Sequence, residues 1–392
     1  MSGLNLFTVL YSVFIIVPVT VFYIKNERYT GLYSLLLAIG LGLIAYRFIP
    51  PYTYDLYRHH LYVIDIQNTS IDEMSNLFFK SVEPLSVLIS YLVSLTKNVN
   101  LLQLSIVTAG YWMLFSMLKD YAKIRSIDNT SFMITLIFTL ASFTYINFIS
   151  GLWNYFAMII FALAFYLESK RQHSTVLSIG MYLITPLIHS SMFLPLALIL
   201  IFKICGEKLN KRLIIAVFLM ILSLPLMPLL ISRLDGIYIF SQLESMYQAY
   251  FIKGTDFSNL YGGNILLMEL LKLSICALLI LSINKKSTYI LKRSGSFSVL
   301  LIATILVYLP VSIATSRFIL LLQFICFPML MEYISSIKFP SRTFSVATLI
   351  LLITLFLTYQ YLTLRKLNFG YSLAIAIPRE LDVIKLMTGS II

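Results

Sequence analysis

Charge is scarce in this sequence. Only 12% of its 392 residues are Asp, Glu, Lys or Arg, about half the usual share for a soluble domain. Acidic residues are the scarcer sign, 17 against 29 Lys and Arg, which leaves a net charge of +12. Cysteine is almost absent: Cys205, Cys276 and Cys326 lie singly within or at the edge of apolar segments. That excludes a disulfide framework and a metal knuckle. No Walker loop, Rossmann glycine fingerprint, HExxH or CxxC is present, which argues against nucleotide-driven and redox chemistry. Alternating strands of about ten residues, the mark of a membrane barrel, are missing too. Before the first apolar run there is no basic segment and no small-residue cleavage site, so Leu4–Ile24 reads as a retained span.

What the chain has instead is hydrocarbon. Hydrophobic residues make up 59% of it, and the mean hydropathy is +0.89. Apolar runs of about the length that crosses a ~30 Å hydrocarbon core recur from end to end. They fall at about Leu4–Ile24, Leu32–Ile49, Leu101–Leu118, Ser131–Ile149, Leu152–Leu167, Val176–Phe202, Leu213–Ile231, Ile265–Ile283, Phe297–Ala314, Phe318–Ile337 and Thr343–Leu362. Inside a bilayer each backbone polar group must find its partner within the segment, so the runs are helices. The expected fold is an all-α integral membrane protein. It is a polytopic bundle of about 11–12 transmembrane helices in one domain, residues 1–392, with no internal repeat.

The basic residues sit in short loops, which is the positive-inside signature rather than a nucleic-acid surface. Lys25 and Arg28 follow the first span. Further clusters lie at Lys119/Lys123/Arg125, Lys170/Arg171, Lys203/Lys208/Lys211/Arg212, Lys285/Lys286/Lys292/Arg293 and Lys338/Arg342. All fall on the cytoplasmic side under two conditions. Pro84–Thr96 must not cross, and Val176–Phe202, broken by Pro186 and Pro195, must return to its starting side. If both segments cross once instead, the clusters at 119–125 and 170–171 face outward. Either way Pro50–Ser81 and Arg233–Gly262 are external. These are the two longest loops, rich in Asp, Glu and Tyr, and loops of that length usually carry function. Acidic acceptors beside flat aromatic faces suit a sugar; an aromatic belt at the membrane interface has the same composition.

Arg47, Arg58, Arg233 and Arg317 depart from the inside bias and sit at or near external ends of spans. An Arg fork matches the oxygens of a diphosphate, although an Arg near a helix end also serves as an interface anchor. Ile313–Phe318 reads as a tight turn, with Thr315 or Ser316 capping the next helix and adding its positive dipole end to Arg317. His189 is the one histidine within an apolar run, a candidate to accept a hydroxyl proton. Its alternative is a structural bond to Ser190 or a carbonyl. His59 and His60, in the external loop, are weaker rivals because histidines there are read as exposed. Glu269 and Lys272 are spaced to neutralise each other at i,i+3, or to meet substrate. Glu83–Pro84 is either a polar site or a plain helix start.

Asp55-Leu-Tyr-Arg58, Glu83-Pro84-Leu85, Ser150-Gly-Leu-Trp-Asn-Tyr-Phe-Ala157, Leu187-Ile-His189-Ser190-Ser191 and Thr315-Ser316-Arg317-Phe318 together make the chain resemble the EpsG/Wzy-type polysaccharide polymerases. The likeness covers most of the chain in layout, on loose motifs. It departs where those proteins often carry an Arg-Gln pair and this chain has Trp153–Asn154. The resemblance implies a metal-independent membrane glycosyltransferase without a cofactor. It would join polyprenyl-diphosphate-linked oligosaccharide repeat units for O-antigen, capsule or exopolysaccharide at the outer face of the bacterial plasma (inner) membrane. Membrane lipids, a flippase and a chain-length regulator would be its partners; nucleic acid would not. It implies that Arg317 and Arg58 hold the diphosphate and that His189 activates or orients the acceptor hydroxyl. Asp55 would contact sugar, and Arg47, Arg233, Trp153, Asn154, Glu83, Glu269 and Lys272 would line the substrate. A lipid-linked oligosaccharide flippase and a membrane O-acyltransferase remain alternatives with the same polar inventory.

Overall fold

The computed structural model describes residues 20–21, 30–46, 48, 50, 54–143, 145–208, 210–223, 264–283, 287–308, 312–336, 351–356 and 358. The spans expected at Leu4–Ile24 and Thr343–Leu362 lie largely outside these residues. So do Arg47, Arg233 and the whole of the loop Arg233–Gly262.

Among the described residues the chain is helical without strands. In order the helices are α1 (Thr30–Tyr46), α2 (Asp55–Asp65), α3 (Ile71–Lys80), α4 (Pro84–Ser94), α5 (Asn100–Ile124), α6 (Asn129–Ser142) and α7 (Tyr145–Ser150). There follow α8 (Leu152–Arg171), α9 (Val176–Ile188), α10 (Phe193–Ile204), α11 (Lys211–Ser223), α12 (Asn264–Leu281), α13 (Tyr289–Tyr308) and α14 (Ser312–Ser336). Four of them, within α5, α8, α13 and α14, are long and apolar enough to cross a membrane; α1, α4, α6, α9 and α10 are apolar but shorter. This is an all-α membrane protein.

Its contacts divide into two compact units. One holds residues 1–163, 187–189 and 334–392; the other holds 164–186 and 190–333.

In the first unit α1 packs along α5. Gly42 allows the approach, since a Cβ there would meet Thr108 Oγ1 at 2.0 Å and the Leu104 carbonyl at 3.0 Å. Small residues of this kind let helices pack closely where no hydrophobic force drives them together. Polar bonds then tie the pair to its surroundings. Tyr145 OH donates to the Leu41 carbonyl (2.5 Å), and Asn98 Nδ2 to Tyr46 OH (2.8 Å).

Three sequence expectations change. The segment 50–81 is not an open loop but two amphipathic helices joined by a 3₁₀ turn at Ile66–Asn68. α2 buries Leu56, His60 and Val63, a helical i, i+4, i+7 stripe that overall polarity conceals. α3 starts with a full capping box, Ser70 with Glu73. Exposed Ile71, Leu77 and Phe79 suit it to lie in the membrane interface. The run Ser131–Ile149 is split at Phe143, whose backbone is extended, into α6 and the short α7. Finally, Thr315 and Ser316 do not cap a helix. α14 already begins at Ser312, so Arg317 sits inside it, because apolar surroundings favour continuing the helix over exposing its backbone.

The two conditions for a one-sided charge pattern both have a structural counterpart. α4 has 11 residues, about 16 Å, which is too short to cross. The long run 176–202 breaks into α9 and α10 around His189 and a 3₁₀ turn at Ser190–Met192. Pro186 removes the N–H that would bond the Tyr182 carbonyl, and the Thr185 hydroxyl donates to that carbonyl instead (2.8 Å). Pro195 falls in the first turn of α10, where no N–H is missed. The far ends of the two half-helices meet. Lys203 Nζ, at the end of α10, donates to Ser174 Oγ, just before α9, at 3.0 Å. The run therefore leaves and returns at one place, as a helical hairpin.

Candidate functional site

The candidate site is built from α2, the head of α4, the first turn of α8 and His189. α2 begins at Asp55, a negative charge in the first turn where the helix dipole favours it. One turn on, Arg58 pairs with Asp55, and both stay open, at 66% and 40% side-chain exposure. An exposed i,i+3 pair contributes little to stability, so this guanidinium is reachable by an anion.

The opposite side of α2 is anchored. His60 is 2% exposed, not the solvent-facing histidine its loop position suggested. Its Nε2 lies 2.6 Å from Gln103 Oε1. Gln103 Nε2 donates in turn to the carbonyls of Ala45 (2.6 Å) and Phe48 (2.8 Å). With both amide hydrogens used, Gln103 can only accept from His60, which sets the Nε2–H tautomer. Burial, against the smaller opposing effect of the Gln103 bond, lowers the His60 pKa to about 4. His59 is also lowered to about 4, first by burial; Asp55 acts against this, while Arg58 and His60 add to it. Both rings are therefore neutral at pH 7.

His59 meets Trp153 edge to face, with ring centroids 6.1 Å apart. Trp153 and Asn154 open α8 and are both 3% exposed. Gly151 precedes them as a one-residue joint after α7, and α7 itself packs on α2.

Glu83 occupies the N-cap position of α4 with Pro84 at N1, so the helix-start reading holds. Its carboxylate, however, does not cap its own helix. Instead Glu83 Oε1 lies 3.8 Å from His189 Nδ1, both side chains largely buried at 25% and 18% exposure. At that separation the contact is electrostatic rather than a hydrogen bond. A carboxylate facing one imidazole nitrogen is the arrangement that orients a base and stabilises it once protonated. Glu83, residue 163 and earlier, and His189 all fall in the same unit.

The remaining candidates lie elsewhere. Lys272 Nζ donates to Glu269 Oε1 at 2.9 Å, both nearly buried, so the neutralising pair forms. Glu269 Oε2 has no hydrogen-bond partner. Arg317 belongs to the second unit and is partly exposed. An open apolar groove of about 670 Å³ between α1, α4 and α5, which includes Leu43, Leu92, Thr108 and Trp112, contains none of the candidates. Among the described residues no three His, Cys, Asp or Glu gather to hold a metal ion.

Sequence reasoning missed one polar centre entirely. In the second unit Arg293, 1% exposed, donates Nε to Glu207 Oε2 (2.8 Å) and Nη2 to Glu168 Oε2 (2.7 Å). Its Nη1 donates to Ser169 Oγ (2.7 Å) and the Phe165 carbonyl (3.3 Å), and the guanidinium stacks on the Phe165 ring at 4.5 Å. Glu168 also receives Lys203 Nζ (2.5 Å), Tyr182 OH (3.0 Å) and the Ser174 hydroxyl. The signal was there: Glu168 and Glu207 are acids set among basic clusters, and clusters that share acids converge.

A family model described as the EpsG family matches residues 32–373. No curated protein and no solved structure matches the chain.

Proposed function

The chain belongs to the EpsG family, and on that footing we propose that it is the polymerase that joins lipid-linked oligosaccharide repeat units at the outer face of the plasma membrane. This is a multi-pass membrane protein of polysaccharide biosynthesis.

The observation that carries the reading is the Glu83–His189 pair at the turn of a broken helix. In the proposed step an acceptor-sugar hydroxyl attacks the anomeric carbon of a glycan held on polyprenyl diphosphate. The new C–O bond forms as the bond to the diphosphate oxygen breaks, and the diphosphate leaves with that electron pair. His189 takes the hydroxyl proton, and Glu83 stabilises the resulting imidazolium. Arg58 neutralises charge growing on the leaving group, with Asp55 holding it in register. Trp153 is buried in its contact with His59, which holds α2 against the start of α8. The diphosphate role of Arg317 rests on the resemblance, and Arg47 and Arg233 keep theirs on the same ground. Glu269 and Lys272 answer each other's charge, which favours a structural part for them.

The test is a deletion strain complemented with wild type, His189→Ala or Glu83→Gln, each shown to be membrane-inserted, with glycans analysed by length. Loss of polymer with single repeat units accumulating on the carrier supports the reading. Normal polymer from His189→Ala overturns it. So does a deletion whose chains are of normal length but lack acetyl groups, or one whose units are trapped on the cytoplasmic leaflet.

A further inference from the structure

The buried ion cluster of the second unit has no part in the chemistry above, yet it meets the hairpin that carries His189 at the hairpin's base. Glu168 is contacted by residues before, within and at the end of that hairpin. These are Ser174 ahead of α9, Tyr182 one and a half turns into it, and Lys203 in the last turn of α10. Lys203 Nζ also stands over the Tyr182 ring at 5.2 Å. One carboxylate thus gathers the outgoing and the returning arm.

From this base α9 runs 13 residues, about 20 Å at 1.5 Å per residue. That length is about two-thirds of a ~30 Å hydrocarbon core, a depth α9 would reach from a base at the membrane surface. Two proline-marked half-helices in lipid have few polar bonds with which to hold that depth. The base supplies them.

We propose that Glu168 and Lys203 are positioning residues: their ion pair closes the base of the hairpin whose turn carries His189. This rests on the reading of His189 as the acceptor-activating group. The cluster's own wiring separates positioning from simple stability. Without Lys203, Glu168 still has Arg293 and Tyr182, and Arg293 still has Glu207, Ser169 and the Phe165 carbonyl. Arg293 is then shared between two carboxylates, and α8, α13 and the turn after α10 stay joined while the direct tie from α10 to Glu168 and Ser174 is lost.

The experiment uses the full chain in membranes, with Cys205, Cys276 and Cys326 replaced and a reporter introduced as Ser191→Cys. The rate of labelling by a membrane-impermeant maleimide from the outer face is compared for Lys203 intact, Lys203→Met and Lys203→Arg. Lys203→Met changes the labelling rate several-fold and lowers kcat about tenfold or more with KM little moved, and Lys203→Arg restores both. Unchanged labelling in an inserted Lys203→Met protein overturns the proposal. Should Lys203→Met fail to insert, Ser174→Ala decides by the same labelling, since it removes one strut and keeps both charges. If labelling shifts as expected but the wild type lengthens no glycan, the hairpin clasp stands and the polymerase reading falls.

Discussion

His60 Nε2 and Gln103 Oε1 lie 2.6 Å apart in the interior, and the amide that accepts from the histidine donates to two backbone carbonyls at the end of α1 and just beyond it. This chain of bonds fastens α2 to α1 and α5. It leaves Asp55 and Arg58 of the same helix exposed.

A pH dependence follows, with its sign set by burial. The His60 pKa is about 4 in the folded protein against 6.5 for the ordinary group, so only the unfolded chain takes up a proton between those values. Stability is unaffected above pH 6.5, falls as pH drops from about 6.5 to about 4, and levels off below. The loss attributable to this residue is roughly 3 kcal/mol. Thermal unfolding in detergent at pH 7.5 and pH 5 reads most of this loss, and His60→Phe should remove about half of the difference, because His59 is lowered to the same value.

His189→Ala is expected to cut turnover by about 10²–10⁴, the usual worth of a general base. Glu83→Gln should cost about tenfold, one ion-pair coupling of about 1.4 kcal/mol. The double variant should be no worse than His189→Ala, because the carboxylate acts through the ring. Initial rates on isolated lipid-linked units test this, and additive losses would show that Glu83 works independently of His189.

Arg58 separates activity from stability. Its pair with Asp55 is exposed, so Arg58→Ala should shift unfolding by no more than about 1 kcal/mol. Polymer formation should nevertheless fall sharply, and Arg58→Lys should rescue it only in part, since an ammonium lacks the two-pronged fit to a diphosphate. An active Arg58→Ala protein would remove this residue from the leaving-group site.

Arg293 is expected to behave in the opposite way. Arg293→Met leaves Glu207 with the Tyr289 hydroxyl and the buried Glu168 with Lys203 as its one cation, which should cost about 3–5 kcal/mol. The measurement is the yield of folded protein and its Tm in detergent. Arg293→Lys should recover little, having one charge but no fork to reach Glu168, Glu207 and Ser169 together.

For Glu269 and Lys272 a double-mutant cycle decides between a structural pair and a substrate contact. Lys272→Met alone leaves a buried carboxylate unanswered and should destabilise by about 3–5 kcal/mol. Glu269→Gln together with Lys272→Met should regain most of that loss. If the double variant is stable but makes no polymer, the pair meets substrate after all.

Much of this molecule follows from where its hydrocarbon lies. Apolar runs of spanning length dictate helices, because lipid offers the backbone no other partner, and α5, α8, α12 and α13 begin within a few residues of where the runs begin or earlier by about two turns. The proline pair in 176–202 announced the break beside His189, and Glu83–Pro84 announced a helix start. The residues 50–81 were misread for a definite reason. Average polarity hides a helix with one buried stripe, and only the spacing of Leu56, His60 and Val63 betrays it.

Composition, span lengths and the sidedness of Lys and Arg are properties of the chain alone, since each segment meets the bilayer solvent largely by itself. Pairings are different. That Glu83 faces His189, that Gln103 holds His60, and that Glu168 collects Lys203 and Arg293 depends on residues between 35 and 125 positions apart, brought together by packing. Desolvation decides which of them matter, because a polar group out of reach of water must take whatever partner the fold supplies.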